Sequence, residues 1–213
     1  MSMRLSALRR YVDLDDAAAM SLLAEAWARH DDAWKQVETF GPGRMAAYCL
    51  ESQGISDDDR IASLTREFEE ASIAAGVDAV DGAKETLGAL ADAGIRRGLV
   101  CDTGFTPGRV VRRLLDEGGL LEHLEVLCFS DEVGVPKPGN DIFAKAVAEL
   151  GVRPPEAVHI GDLKRTDIAG ALDFGMRAIR FRGVHDDHSG GPEAKVVIDR
   201  HPELLEILGI SAV

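Results

Sequence analysis

Residues 157–167 read Ala-Val-His-Ile-Gly-Asp-Leu-Lys-Arg-Thr-Asp. The opening residues suit a buried strand, and Gly161 ends it. Two carboxylates, Asp162 and Asp167, then flank the start of a helical stretch, Thr166–Phe174, which Gly175 stops. A strand leading through Gly-Asp into a helix is half of a βαβ unit. Hard oxygen ligands at such a strand end suit Mg²⁺, which takes one or two carboxylates together with water and phosphate oxygens. Either aspartate alone would read more simply as a helix N-cap.

The same alternation extends outward from this stretch. Arg97–Asp102, Val126–Ser130, Ala157–Gly161 and Met176–Phe181 read as strands, with Val196–Ile198 a short fifth. Helices are predicted between and after them over 83–93, 107–115, 141–150 and 202–208, with Asn140 as an N-cap. Alternating strands and helices predict an α/β fold with a Rossmann-like parallel sheet. Ligands in such sheets bind beyond the carboxyl ends of the strands. The first strand ends in Cys101-Asp102-Thr103-Gly104. There Thr103 offers a hydroxyl and an N–H to an anion, and Gly104 lets the chain turn. The second runs into Gly134-Val135-Pro136-Lys137-Pro138. Each proline biases the residue before it towards extended backbone, so a stiffened loop aims Lys137. In a chain of net charge −13, that lysine is a sensible counter-charge for a phosphate.

Residues before Val80 read differently. Met20, Leu23 and Trp27 recur at helical spacing, as do Ile61, Leu64 and Phe68, and Phe40-Gly-Pro-Gly43 is a break. The expected organisation is a small helical cap region over 1–78 and an α/β core over 79–213.

In order, the three loops resemble the second, third and fourth motifs of the haloacid dehalogenase superfamily, over roughly residues 78–185. The resemblance implies Mg²⁺-dependent hydrolysis of a small phosphorylated metabolite through an aspartyl phosphate. It implies that Thr103 and Gly104 hold the phosphoryl group and that Lys137 neutralises it. Asp162 would be a metal ligand, and Asp167 would support the metal or the lysine. The Gly-Asp–x4–Asp spacing resembles the phosphatase branch; a metal-free 2-haloacid dehalogenase is the alternative.

That family's first motif, a buried strand followed by Asp-x-Asp-Gly-Thr, has one candidate: Tyr11-Val-Asp-Leu-Asp-Asp-Ala17. Asp13 and Asp15 would then be nucleophile and general acid. Arg9 and Arg10 are poor residues for a central strand, however, and Leu5, Leu8 and Val12 follow helical spacing. A helix, a loop at Val12–Asp15 and a second helix, capped by Asp15 or Asp16, is the preferred reading. The chain then reads either as a shortened form of an active hydrolase or as a relative that has lost catalysis. A sheet without its central strand leaves backbone groups that must find partners. The first and third strands are expected to pair directly, to take Met1–Leu5 between them, or to take a strand from another subunit, which would make a homo-oligomer.

The 213 residues, 46% of them hydrophobic, can bury a core. The acidic balance disfavours nucleic acid and anionic membranes. No apolar run suits a membrane span and no secretory signal is visible, so a cytoplasmic location is expected. Cys49, Cys101 and Cys128 form no ligand or disulfide pattern and read as small buried residues. His159 reads as a core histidine, Arg109, Arg112 and Arg113 as a locally paired helix face, and His185–His188 as a solvated loop.

Overall fold

The computed structural model describes residues 2–210. Helices α1 (Ser2–Leu8), α2 (Asp16–Lys35), α3 (Pro42–Glu51) and α4 (Asp58–Ala75) come first. Then follow α5 (Ala83–Asp92), β1 (Gly98–Cys101), α6 (Gly108–Glu117), β2 (Val126–Phe129), α7 (Ser130–Val133) and α8 (Asn140–Leu150). The chain continues through β3 (Val158–Gly161), α9 (Ala169–Asp173), β4 (Arg177–Phe181), β5 (Val196–Ile198) and α10 (Glu203–Leu208). The alternating half is α/β, with parallel strands throughout.

The four leading helices bury one face each into a common cluster. Leu8, Leu23, Met45, Leu50, Leu64 and Phe68 are fully buried there, and Phe105 joins them from the loop after β1. Each such side chain contributes about 1.5–3 kcal/mol by leaving water. Asp15 caps α2 by accepting from Ala18 N at 2.8 Å, and Asp57 caps α4 by accepting from Arg60 N at 3.0 Å. Arg4 ties this layer to the α/β half through Phe68 O, Ser72 Oγ and Thr106 Oγ1 at 2.9, 2.9 and 3.1 Å.

The sheet is split. β1 pairs only with β2, while β3, β4 and β5 form a second sheet in that order. Two of the expected remedies are therefore corrected. β1 and β3 do not pair with each other, and Ser2–Leu8 is helix rather than strand. Helical spacing decides the second point. It carries Ala7 and Leu8 into the helical cluster, with Leu5 packed against it, and leaves Arg9 and Arg10 exposed. Arg10 pairs with Glu67, and Tyr11 Oη donates to the same carboxylate at 2.8 Å.

Smaller departures have local causes. The helix after Asp162 opens with a wide π-type turn over 164–168. Gly139, not Asn140, precedes α8, and it offers no side-chain cap. The arginine face of α6 pairs outward: Arg109 with Glu69 and Glu70, Arg113 with Glu70, and Arg112 with Glu132. These pairs bridge α6 to α4 and α7 rather than to its own Asp116 and Glu117. Leu8→Ala should cost 2–5 kcal/mol in denaturant unfolding, as expected for a leucine fully enclosed by helices. A loss below about 1 kcal/mol would place α1 outside the packed layer.

Candidate active site

The loops after β1, β2 and β3 converge beneath α2 on a cavity of about 390 Å³. Lys137 is its cation. Its Nζ donates to Asp167 Oδ1 at 2.8 Å and to Val100 O at 3.2 Å, and its backbone N–H donates to Asp102 Oδ1 at 2.9 Å. Burial alone would lower the Lys137 pKa. The charges of Asp167 and Asp102 outweigh that and hold it above the ordinary lysine value. The ammonium is therefore permanent at neutral pH.

Asp167 holds this lysine in place. Oδ1 also takes His159 Nε2 at 2.8 Å, and Oδ2 takes Leu163 N at 3.1 Å. Burial opposes its ionisation, but His159 and Lys137 keep it well below the usual carboxylate range. His159 is pushed down by burial, only partly offset by Asp167, so it is a neutral imidazole donating from Nε2. Gly161 is required beneath this group: a Cβ there would sit 2.3 Å from Asp167 Cγ.

Asp162 also lines the cavity, and among the described residues its carboxylate takes no hydrogen bond. Asp102, passed over in the sequence, proves central: Oδ2 accepts from Trp34 Nε1 at 2.9 Å while Oδ1 fixes the Lys137 backbone. Trp34 lies under Arg165, whose Cζ is 4.1 Å from the ring centroid. Trp27 stacks on Phe105 at 5.5 Å and completes the α2 wall. Cys101 faces the cavity too, but burial pushes its thiol up to about 11, so it is no activated nucleophile.

Thr103 and the His185–His188 loop meet a different arrangement from the one expected, while Asp13 and Asp15 keep the loop-and-cap placement preferred from the sequence. Thr103 does not line the cavity; its N–H donates to Ser130 Oγ at 2.8 Å and its hydroxyl to Asp131 Oδ1 at 3.0 Å. Asp131 in turn accepts from Gly108 N and holds the start of α6, so Thr103 is committed to that turn. Gly104 lines the cavity as expected, and it is glycine for clearance: a Cβ there would meet Trp27 at 3.0 Å and His30 at 3.1 Å. Asp13 and Asp15 are not brought to the site. Asp13 is exposed between α1 and α2, and Asp15 is spent on its helix cap. The His185–His188 loop is partly engaged rather than solvated. Asp187 is buried and accepts from Lys164 N at 2.7 Å, bracing the Asp162 loop, while Asp186 pairs with Arg180.

The donor set can be tested against Mg²⁺. Asp167 has its oxygens engaged, Asp102 faces an indole and a backbone N–H, and only Asp162 is free. Among the described residues no group of three His, Cys, Asp or Glu side chains is gathered for a metal. The residues present do not by themselves fit the ion.

Residues 15–175 match the family model for haloacid dehalogenase-like hydrolases. The chain belongs to that family. It is 36% identical over 129 residues to a glyceraldehyde 3-phosphate phosphatase of Methanopyrus kandleri, covering 58% of this chain and 53% of that one. It is 35% identical over 99 residues to a phosphoserine phosphatase of Thermus thermophilus, covering 46% and 40%. The chain thus spans about half the length, or less, of these relatives. In fold it is similar to a HAD phosphatase of Thermococcus onnurineus, with a TM-score of 0.68 at 24% identity over 98% of this chain and 88% of that one. A 2-haloacid dehalogenase of Pseudomonas syringae shares the fold at 0.66 and 22%, over 98% and 90%. No described helix is long and apolar enough to cross a membrane.

Asp167→Asn should cost about 3–5 kcal/mol, because it leaves Lys137 buried without its counter-charge; a shift in thermal midpoint checks it. The pH profile follows from three depressed groups, His159, His201 and Asp167. Below about pH 6.5 the unfolded chain takes up protons that His159, and likewise His201, resist when folded, so stability falls on acidification. Asp167 adds a second loss below about pH 4, where its unfolded carboxylate protonates. Midpoints measured from pH 8 to 3 should show both falls, and His159→Gln should flatten the upper one.

Proposed function

We propose that this chain carries the anion-binding part of a phosphomonoesterase site for a small phosphorylated metabolite, and that residues 2–210 do not supply the attacking carboxylate. The supporting observation is Lys137, a largely covered ammonium fixed on two sides within a cavity that also holds the unengaged Asp162. Phosphatase relatives over this region support the substrate class.

Lys137 would neutralise phosphoryl oxygens at the carboxyl ends of the strands. Asp167 and Asp102 orient it and keep it charged, and His159 keeps Asp167 from turning away. Trp27 and Trp34 wall off the side from which a leaving group would enter. With Thr103 turned away, the anion would meet the Lys137 ammonium and the backbone of Cys101 and Asp102 instead. The Mg²⁺ implied by the family needs a further ligand before it has a site here, and no step is derived through it.

A second reading, an anion-binding protein without turnover, is favoured by the placement of Asp13 and Asp15 outside the cavity. No observation in the site favours a dehalogenase.

The test has two readouts on folded protein. Titration calorimetry with inorganic phosphate should show binding that Lys137→Met weakens at least tenfold, about 1.4 kcal/mol, and that Asp13→Asn leaves unchanged. Hydrolysis of p-nitrophenyl phosphate with Mg²⁺ should stay at background. Turnover abolished by both Asp13→Asn and Asp162→Asn would overturn the reading and make Asp13-Leu14-Asp15 the family's first motif.

A further inference from the structure

The cavity that holds Lys137 has a second polar end, on α2, to which anion binding gives no task. Trp27, His30, Asp31 and Trp34 line it from that helix. Their spacing puts all four on one helical face.

His30 is firmly held there. Its Nδ1 lies 3.0 Å from Phe40 O. A carbonyl oxygen only accepts, so Nδ1 carries a proton, and in the neutral ring Nε2 is left as an acceptor. Phe40 is itself fixed: it packs against the helical cluster, and Arg44 lies over its ring with Cζ 4.5 Å from the centroid. Trp27 rests against the imidazole at 4.7 Å between ring centroids. Nε2 faces Gly104, where an added Cβ would come within 3.1 Å of it, and Gly104 lines the cavity. Among the described residues Nε2 takes no hydrogen bond, and the atom is not sealed from solvent. Its lone pair is therefore open to the cavity.

Charge decides what this end accepts. Lys137 is the one cation among the described residues that line the cavity. On α2 the polar groups are the His30 lone pair and the carboxylate of Asp31, which pairs with Lys35 one turn on. Arg165 covers Trp34 without lining the cavity. A second anionic group on the ligand would meet acceptors there, with no cation to balance it. A hydroxyl group would donate to Nε2 without adding charge. The indoles supply apolar contact for a carbon skeleton, and Trp27, 42% exposed, has surface left to give.

We infer that His30 is a specificity-determining residue: its Nε2 accepts a hydrogen bond from a hydroxyl on the alcohol part of the substrate. The substrate class is then a phosphorylated polyol or sugar with no second anionic group, rather than a phosphorylated carboxylic acid. The inference rests on the reading of this cavity as a phosphomonoester site. It adds which alcohol the phosphoryl group is carried on.

Titration calorimetry on the full chain tests it with three esters. These are glycerol phosphate, propyl phosphate, which lacks the hydroxyls, and phosphoglycerate, which has a carboxylate in place of one. Glycerol phosphate should bind about fivefold more tightly than propyl phosphate, as one added hydrogen bond would give. Phosphoglycerate should bind more weakly than glycerol phosphate. His30→Asn keeps an N–H for Phe40 O but places nothing at Nε2, so it should bring glycerol phosphate and propyl phosphate within about twofold of each other. His30→Gln, whose longer amide reaches the Nε2 position, should restore part of the preference. His30→Phe serves in place of His30→Asn if that variant fails to fold.

Heteronuclear NMR of the imidazole nitrogens gives a readout that a packing role would not move. The Nε2 resonance of His30 should shift on adding glycerol phosphate and stay in place on adding propyl phosphate. Equal affinities for those two esters in the unaltered chain overturn the inference. So does a preference that survives in both His30→Asn and His30→Phe, or tighter binding of phosphoglycerate. Inorganic phosphate separates the two levels of failure. Phosphate bound with no preference among the esters sinks the role of His30 alone; binding of neither phosphate nor any ester sinks the phosphomonoester reading with it.

Discussion

The carboxylate of Asp167 is the group on which the rest of the α/β half depends. It sits in the wide turn that follows β3, yet it holds Lys137, which belongs to the loop after β2 and touches β1. The two half-sheets share no ladder bonds, so this contact is one of the few fixed links between them. A buried ion pair is a poor source of net stability compared with apolar packing. Its value here is geometric: it sets where the cavity's cation stands relative to both half-sheets.

Much of this was readable along the chain. Strands ending at Cys101, Phe129, Gly161 and Phe181 announce themselves through short apolar stretches alternating with helical ones, which are local signals. Lys137 was legible because its two prolines restrict the backbone on either side. Asp162 and Asp167 were legible as a pair at a strand end, but not their division of labour. That division depends on His159 and Lys137, eight residues before and thirty residues before Asp167. No local pattern reports such contacts.

What was not legible at single positions has physical causes. Thr103 and Asp102 are neighbours, and extended backbone sends their side chains to opposite sides. A single-residue uncertainty in where β1 ends is enough to exchange which of them faces the cavity. Gly104 invited a turn explanation because glycine so often means positive φ. What it provides is clearance for Trp27, a partner 77 positions away. Asp13 and Asp15 resemble catalytic residues by spacing alone. Capping α2 is a sufficient reason for an aspartate at position 15, and the arginines before them mark the segment as surface.

Both tryptophans of the chain lie on α2 and face the α/β half, Trp27 against Phe105 and Trp34 between Asp102 and Arg165. The protein's tryptophan emission therefore comes entirely from this one seam. An indole held by a carboxylate and covered by a guanidinium changes its emission as soon as those neighbours withdraw. The optical signal thus registers the separation of the helical layer from the α/β half. It is blind to loosening elsewhere, and a melting curve followed by fluorescence is a curve of that seam.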